Sequence, residues 1–69
     1  MKLSARNTIA AKVLRINEGA VNVEVVMEIS PGVEIVSIIT KHAFENLNLE
    51  VGAQAYAVIK SSNVMIATE

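Results

Sequence analysis

The chain carries its most informative stretch between residues 21 and 30, Val21-Asn22-Val23-Glu24-Val25-Val26-Met27-Glu28-Ile29-Ser30. Apolar side chains occupy every odd position from Val21 to Ile29, whereas the even positions are mostly polar. A period of two is typical of a strand with one face buried and the other in water. The stretch therefore predicts a half-buried β-strand.

Turn signals on either side of this strand delimit its neighbours. Asn17-Glu18-Gly19 separates it from a β-branched and aliphatic run, Ile9 to Ile16, and Ser30-Pro31-Gly32 leads into a third strand, Val33 to Thr40. The third strand is apolar on both faces near its end. This pattern predicts burial by the core on one side and by a partner on the other.

The remainder of the chain predicts one short helix and two further strands. Lys41 to Leu47 is the helical candidate, about two turns long. The strands Ala53 to Lys60 and Val64 to Thr68 follow, with Ser61-Ser62-Asn63 between them. Five short strands and one helix predict an all-β fold, a small five-stranded Greek-key barrel of the OB type.

Length and composition predict a single domain, residues 1–69, that associates with copies of itself. A domain of 69 residues buries a small share of its surface, and the chain has no cysteine for a disulfide and only His42 as a neutral nitrogen ligand. Apolar residues make up 52% of the chain, more than a lone barrel of this size can easily hide. We therefore expect a homo-oligomer.

Charge and hydropathy argue against nucleic-acid and membrane partners. The net charge is −1, and Phe44 and Tyr56 are the only aromatic residues, which leaves neither a broad positive field nor a stacking surface. No apolar run approaches the ~20 residues of a membrane span. The first residues lack the apolar core of a signal peptide, so the cytoplasm is the expected location.

Catalytic constellations are also missing from the sequence. The chain has seven glutamates, no aspartate and a single histidine, His42, without the orienting carboxylate of a catalytic triad. We interpret His42 as an exposed or capping residue. The sequence disfavours an enzyme and indicates no directly bound metal.

Two segments gather hydrogen-bond donors and contain no acid: Ser4-Ala5-Arg6-Asn7 and Lys60-Ser61-Ser62-Asn63. A tetrahedral oxyanion accepts hydrogen bonds but donates none, so its pocket needs hydroxyls, backbone N–H groups and cations. The plainer alternative is that Ser4 caps the terminus, Arg6 covers apolar surface with its stem, and Ser61 begins a polar turn. Spacing alone favours this alternative.

The order of several segments resembles the molbindins, small TOBE/Mop-like proteins that hold molybdate or tungstate. The resemblance spans essentially the whole chain and is carried by residues 4–7, 19–26, 37–40, 47–52 and 55–62, which read SARN, GAVNVEVV, SIIT, LNLEVG and AYAVIKSS. It implies an OB-like barrel assembled as a hexamer, a trimer of dimers, with oxyanion sites between subunits.

The resemblance also implies a role for each site residue. Ser4 and Thr40 would supply hydroxyls, and Ala5 and Arg6 backbone N–H groups, from one side of the pocket. Lys60 and Ser61 would come from the neighbouring subunit, Lys60 with its charge and Ser61 with its hydroxyl and N–H group. The turn from Gly19 to Asn22 is a candidate for a second class of site by loose analogy only.

The implied function is storage, buffering or delivery of molybdate or tungstate in the cytoplasm, without catalysis. A structural or interaction barrel with no small ligand is the alternative from another class. Calorimetry distinguishes the two, because the alternative predicts no heat when any oxyanion is added.

Overall fold

The computed structural model describes residues 2–69 and shows a small domain in which one sheet provides most of the structure. Its strands are β1 (Asn7–Glu18), β2 (Asn22–Ser30), β3 (Val33–Thr40) and β4 (Gln54–Ile59). One helix, α1 (Lys41–Leu47), connects β3 to the loop before β4, and a 3₁₀ turn, Ser61–Asn63, follows β4. No helix within residues 2–69 is long and apolar enough to cross a membrane.

The strands form one antiparallel sheet in the order β3-β2-β1-β4. The first half of β1 pairs with β4, from Asn7 opposite Ile59 to Lys12 opposite Gln54. The second half pairs with β2, and the register shifts between Val13 and Arg15. This bulge at Leu14 bends β1, because an extra residue on one strand increases the local twist.

The core lies on the concave face of the bent sheet. Val13, Val23 and Val25 are its fully buried large side chains, and they come from β1 and β2. Alternate residues of a strand point to the same face, so the period of two in β2 predicted this arrangement. Apolar side chains from the edge strands, from Phe44 in α1 and from Leu49 surround these three valines.

Two glycines, Gly19 and Gly52, occupy turn positions that a residue with a side chain could adopt only with a clash or with backbone strain. Gly19 donates its backbone N–H to the carbonyl of Asn22 at 2.8 Å, and a Cβ at Gly19 would lie 2.9 Å from that oxygen. Gly52 has φ +90°, a conformation that L side chains rarely adopt, and its N–H donates to the carbonyl of Val13 at 2.8 Å. The second contact holds the approach to β4 against the bulge of β1.

The predicted bounds of β3 and α1 are confirmed, and the predicted first and fourth strands are confirmed as elements with shifted ends. β1 is longer than expected because Asn7 and Thr8 pair with the last residues of β4. The prediction of a fifth strand was wrong for the chain as it stands. Residues Val64 to Thr68 pair with no strand, since they leave the 3₁₀ turn into solvent, and strands are stable only where a neighbour completes their hydrogen bonds.

Candidate functional site

The paired ends of β1 and β4 bring the two donor-rich segments together. Asn7 and Ile59 are the last paired residues, so Arg6 and Lys60 each lie one residue beyond the same end of the ladder. The side-chain amide of Asn7 donates to the carbonyl of Ile59 at 3.2 Å and ties the two strand ends together. We call Ser4, Ala5, Arg6, Lys60 and Ser61 the strand-end cluster.

Two cations without a carboxylate partner mark the strand-end cluster. Arg6 and Lys60 are both exposed, and among residues 2–69 the ion pair found is between Arg15 and Glu34, at 2.8 Å. Like charges on adjacent strand ends repel each other, and a bound dianion would turn this repulsion into attraction. The charge pattern of the cluster therefore suits an anion.

The 3₁₀ turn after β4 adds neutral donors to the strand-end cluster. Asn63 donates its N–H to the carbonyl of Lys60 at 2.9 Å, which starts the turn at Ser61. The N–H groups in the first positions of such a turn have no acceptor within the turn, so that of Ser61 needs a partner from outside it. The hydroxyls of Ser4 and Ser61 make no hydrogen bond within the described part of the chain.

Thr40 lies at the opposite end of the sheet from the strand-end cluster. It pairs with Asn22 at the start of β2, next to the end of β1 at Glu18. The strand-end cluster lies at the other end of β1, where Asn7 pairs with Ile59. The structure therefore does not bring Thr40 and Ser4 together within one chain, and their place on one side of a shared pocket stays a prediction. The Thr40 hydroxyl caps α1 by accepting from the N–H of Ala43 at 3.1 Å, and its own proton stays available for an acceptor.

Lys41 is a functional candidate that the sequence analysis missed. Its ammonium donates to the carbonyl of Gly19 at 3.2 Å, and its N–H donates to the carbonyl of Val21 at 3.0 Å. A cation therefore lies beside Thr40, next to the Gly19 to Asn22 turn. The sequence did carry a signal for this role. A lysine in the first turn of a helix interacts unfavourably with the helix dipole, so its presence at that position suggests another function.

His42 is exposed, which confirms its interpretation as a lone surface histidine. Its Nε2 lies 3.3 Å from the side-chain amide of Asn46, one helical turn further along α1. No group of three or more histidine, cysteine, aspartate or glutamate residues that could hold a metal ion occurs among residues 2–69.

A four-stranded antiparallel sheet with one short helix and donor-rich strand ends defines a class of small β-domains, and comparison with known proteins identifies its family. Residues 3–66 match the TOBE domain, and the chain belongs to this family. It is 45% identical over 69 residues, the full length of both chains, to a probable molybdenum-pterin-binding protein from Haemophilus influenzae. The resemblance to the molbindins is confirmed.

Solved structures agree with this assignment. A molybdate-binding protein from Sporomusa ovata is 32% identical and superposes with a TM-score of 0.92, over 99% of this chain and 100% of that one. The cytoplasmic molybdate-binding protein ModG, solved with molybdate bound, is 49% identical with a TM-score of 0.88. The match covers 94% of this chain and 46% of ModG.

Proposed function

We propose that this protein binds molybdate or tungstate through the strand-end cluster. The observation that carries the proposal is the pair of unpartnered cations, Arg6 and Lys60, at adjacent strand ends beside free hydroxyls and N–H groups. The molybdate-binding function of two proteins with the same fold at 32% and 49% identity supports the choice of ligand.

The donor set is sufficient for useful affinity. Charge-assisted hydrogen bonds contribute about 1.5–3 kcal/mol each, and micromolar binding requires about 8 kcal/mol. Lys60 supplies a mobile charge, Ser4 and Ser61 supply hydroxyls, and the main chain at Ala5 and Arg6 supplies N–H groups. A tetrahedral dianion can accept from all of them, because none of its oxygens carries a proton.

Each site is shared between subunits. The strand-end residues Ser4, Arg6, Lys60 and Ser61 are exposed, so one chain alone would leave an anion in contact with water, where electrostatic attraction is weak. Thr40 and Lys60 of one chain lie at opposite ends of the sheet. A pocket that contains both residues therefore takes Thr40 from one copy and Lys60 with Ser61 from another.

The assembly is a hexamer built as a trimer of dimers. Exposed apolar side chains support extensive association, among them Val36 and Ile38 on the outer face of β3, which are 57% and 67% exposed. Their exposure agrees with the prediction that a partner covers this face. Native mass spectrometry tests the assembly, with six chains of 7.4 kDa as the expected species.

The cellular role is storage, buffering or delivery of the oxyanion in the cytoplasm, without catalysis. Occupied sites between subunits stabilise the oligomer, and a fall in free anion empties them by mass action. The description of the similar ModG as a cytoplasmic molybdate-binding protein supports this location.

The same exposed apolar surface also favours the alternative function, an interaction barrel whose role is the oligomer itself. Calorimetric titration of anion-free protein separates the two functions. We expect saturable heat with molybdate and with tungstate, and much less with sulfate at the same ionic strength. Absence of heat with all three anions would overturn the proposal and leave the interaction barrel.

A further inference from the structure

One side-chain hydrogen bond joins β1 and β4 at the point where both strands enter the strand-end cluster. Asn7 is the first residue of β1 and pairs with Ile59, the last residue of β4. The Nδ2 of Asn7 donates to the carbonyl oxygen of Ile59 at 3.2 Å, and the contact is partly buried. A carbonyl oxygen only accepts hydrogen bonds, so the amide nitrogen of Asn7, and not its Oδ1, must face Ile59.

The bond from Asn7 fixes the peptide group that leads into Lys60. The carbonyl of Ile59 and the N–H of Lys60 belong to one planar peptide group, so a bond that holds the oxygen also orients the N–H. The next peptide group is held as well, because the carbonyl of Lys60 accepts from the N–H of Asn63 at 2.9 Å. The main chain of Lys60 is therefore held on both sides, at φ −63° and ψ 138°.

The same bond connects Lys60 to the other half of the strand-end cluster. Asn7 directly follows Arg6, so the two share one planar peptide group. The exposed side chains of Arg6 and Lys60 carry like charges, and their repulsion acts to separate the two strand ends. A hydrogen bond across the last residue pair opposes this separation. Asn7 therefore keeps the donors of both segments at one spacing while no anion is bound.

We propose that Asn7 is a positioning residue of the anion site, and that it raises the affinity by holding the strand ends at Arg6 and Lys60 in place before the anion binds. The inference rests on the proposed function, because it needs an anion at the strand-end cluster. Asn7 acts through its neighbours and not by contact with the anion. Donors that are already ordered lose less conformational entropy on binding than donors that the anion must order.

Asn7→Ala tests this role by calorimetric titration with molybdate at fixed ionic strength. We expect the dissociation constant to rise about tenfold, because the anion must then order the main chain of Lys60 itself. Asn7→Val has no donor either, but its β-branched side chain favours a strand, so it keeps the test valid if the alanine variant does not fold. It should weaken binding by the same factor.

Asn17→Ala is the matched control for Asn7→Ala, because it removes the same kind of hydrogen bond from the same strand. The side-chain amide of Asn17 donates to Glu24 at 2.9 Å near the opposite end of β1. Its loss should leave the affinity for molybdate unchanged. Equal losses of affinity in Asn7→Ala and Asn17→Ala would refute the positioning role.

A double-mutant cycle with Lys60→Ala separates positioning from a general loss of stability. Without the lysine side chain, no ammonium group has to be positioned and no like charge separates the strand ends. Asn7→Ala should therefore weaken binding about tenfold in the native background but at most about threefold beside Lys60→Ala. The same factor in both backgrounds would show that Asn7 does not act through Lys60, and it would overturn the inference.

Backbone dynamics test the hydrogen bond of Asn7 without any ligand. In ¹⁵N relaxation of the anion-free protein, the Lys60 amide should be rigid in the native chain and in Asn17→Ala, and more mobile in Asn7→Ala or Asn7→Val. Circular dichroism should show the same sheet in all of them. Native affinity in both Asn7 variants would overturn this inference alone, whereas a native protein that binds no molybdate would overturn the proposed function together with it.

Discussion

Replacing Lys60 with alanine tests the strand-end cluster most directly. Lys60 is exposed, forms no ion pair within residues 2–69 and follows the last residue of β4, so its removal leaves the ladder intact. Loss of one charge-assisted contact costs about 1.5–3 kcal/mol. Because each 1.4 kcal/mol is a factor of ten, molybdate binding should weaken about tenfold to a hundredfold.

The assay is calorimetric titration with molybdate at fixed ionic strength, together with thermal unfolding of the anion-free variant. Lys12→Ala is the matched control, because Lys12 is an exposed lysine in the middle of β1. Both variants lose one positive charge, so they have the same net charge. Lys60→Arg keeps the charge and should recover part of the affinity. If Lys60→Ala and Lys12→Ala weakened binding equally, the effect would be one of net charge, and the proposed location of the site would be wrong.

Substitutions at three further positions test the fold and the role of Thr40. Val13→Ala removes part of a side chain with no exposed surface and should lower the free energy of unfolding in urea by about 2 kcal/mol, whereas a loss under about 0.5 kcal/mol would show that the core repacks. Gly52→Ala meets no neighbouring atom but keeps φ at +90°, so strain should cost about 1–2 kcal/mol, and an unchanged melting temperature would contradict this. Thr40→Val removes the cap of α1, so it should lower the free energy of unfolding by about 1 kcal/mol and weaken molybdate binding. Thr40→Ser keeps the hydroxyl and should retain the stability and the affinity. Equal effects of these last two variants would exclude a role for the hydroxyl.

The sequence predicted the regular elements well where their pattern was local. The period of two in β2, the turn at Gly32 and the helix after Thr40 each follow from neighbouring residues, and the structure has all three. The bulge at Leu14 was not predictable in the same way. It arises because β1 pairs with β4 along one half and with β2 along the other, and such pairing depends on residues far apart in the sequence.

The candidate site was predicted in its chemistry but not in its grouping. Ser4 to Arg6 and Lys60 to Ser61 were chosen as donors without nearby acids, and the pairing of Asn7 with Ile59 explains why they meet. Thr40 was grouped with Ser4 through the resemblance, whereas the topology separates them. A sequence states which groups are present, but the register of distant strands decides which of them are neighbours.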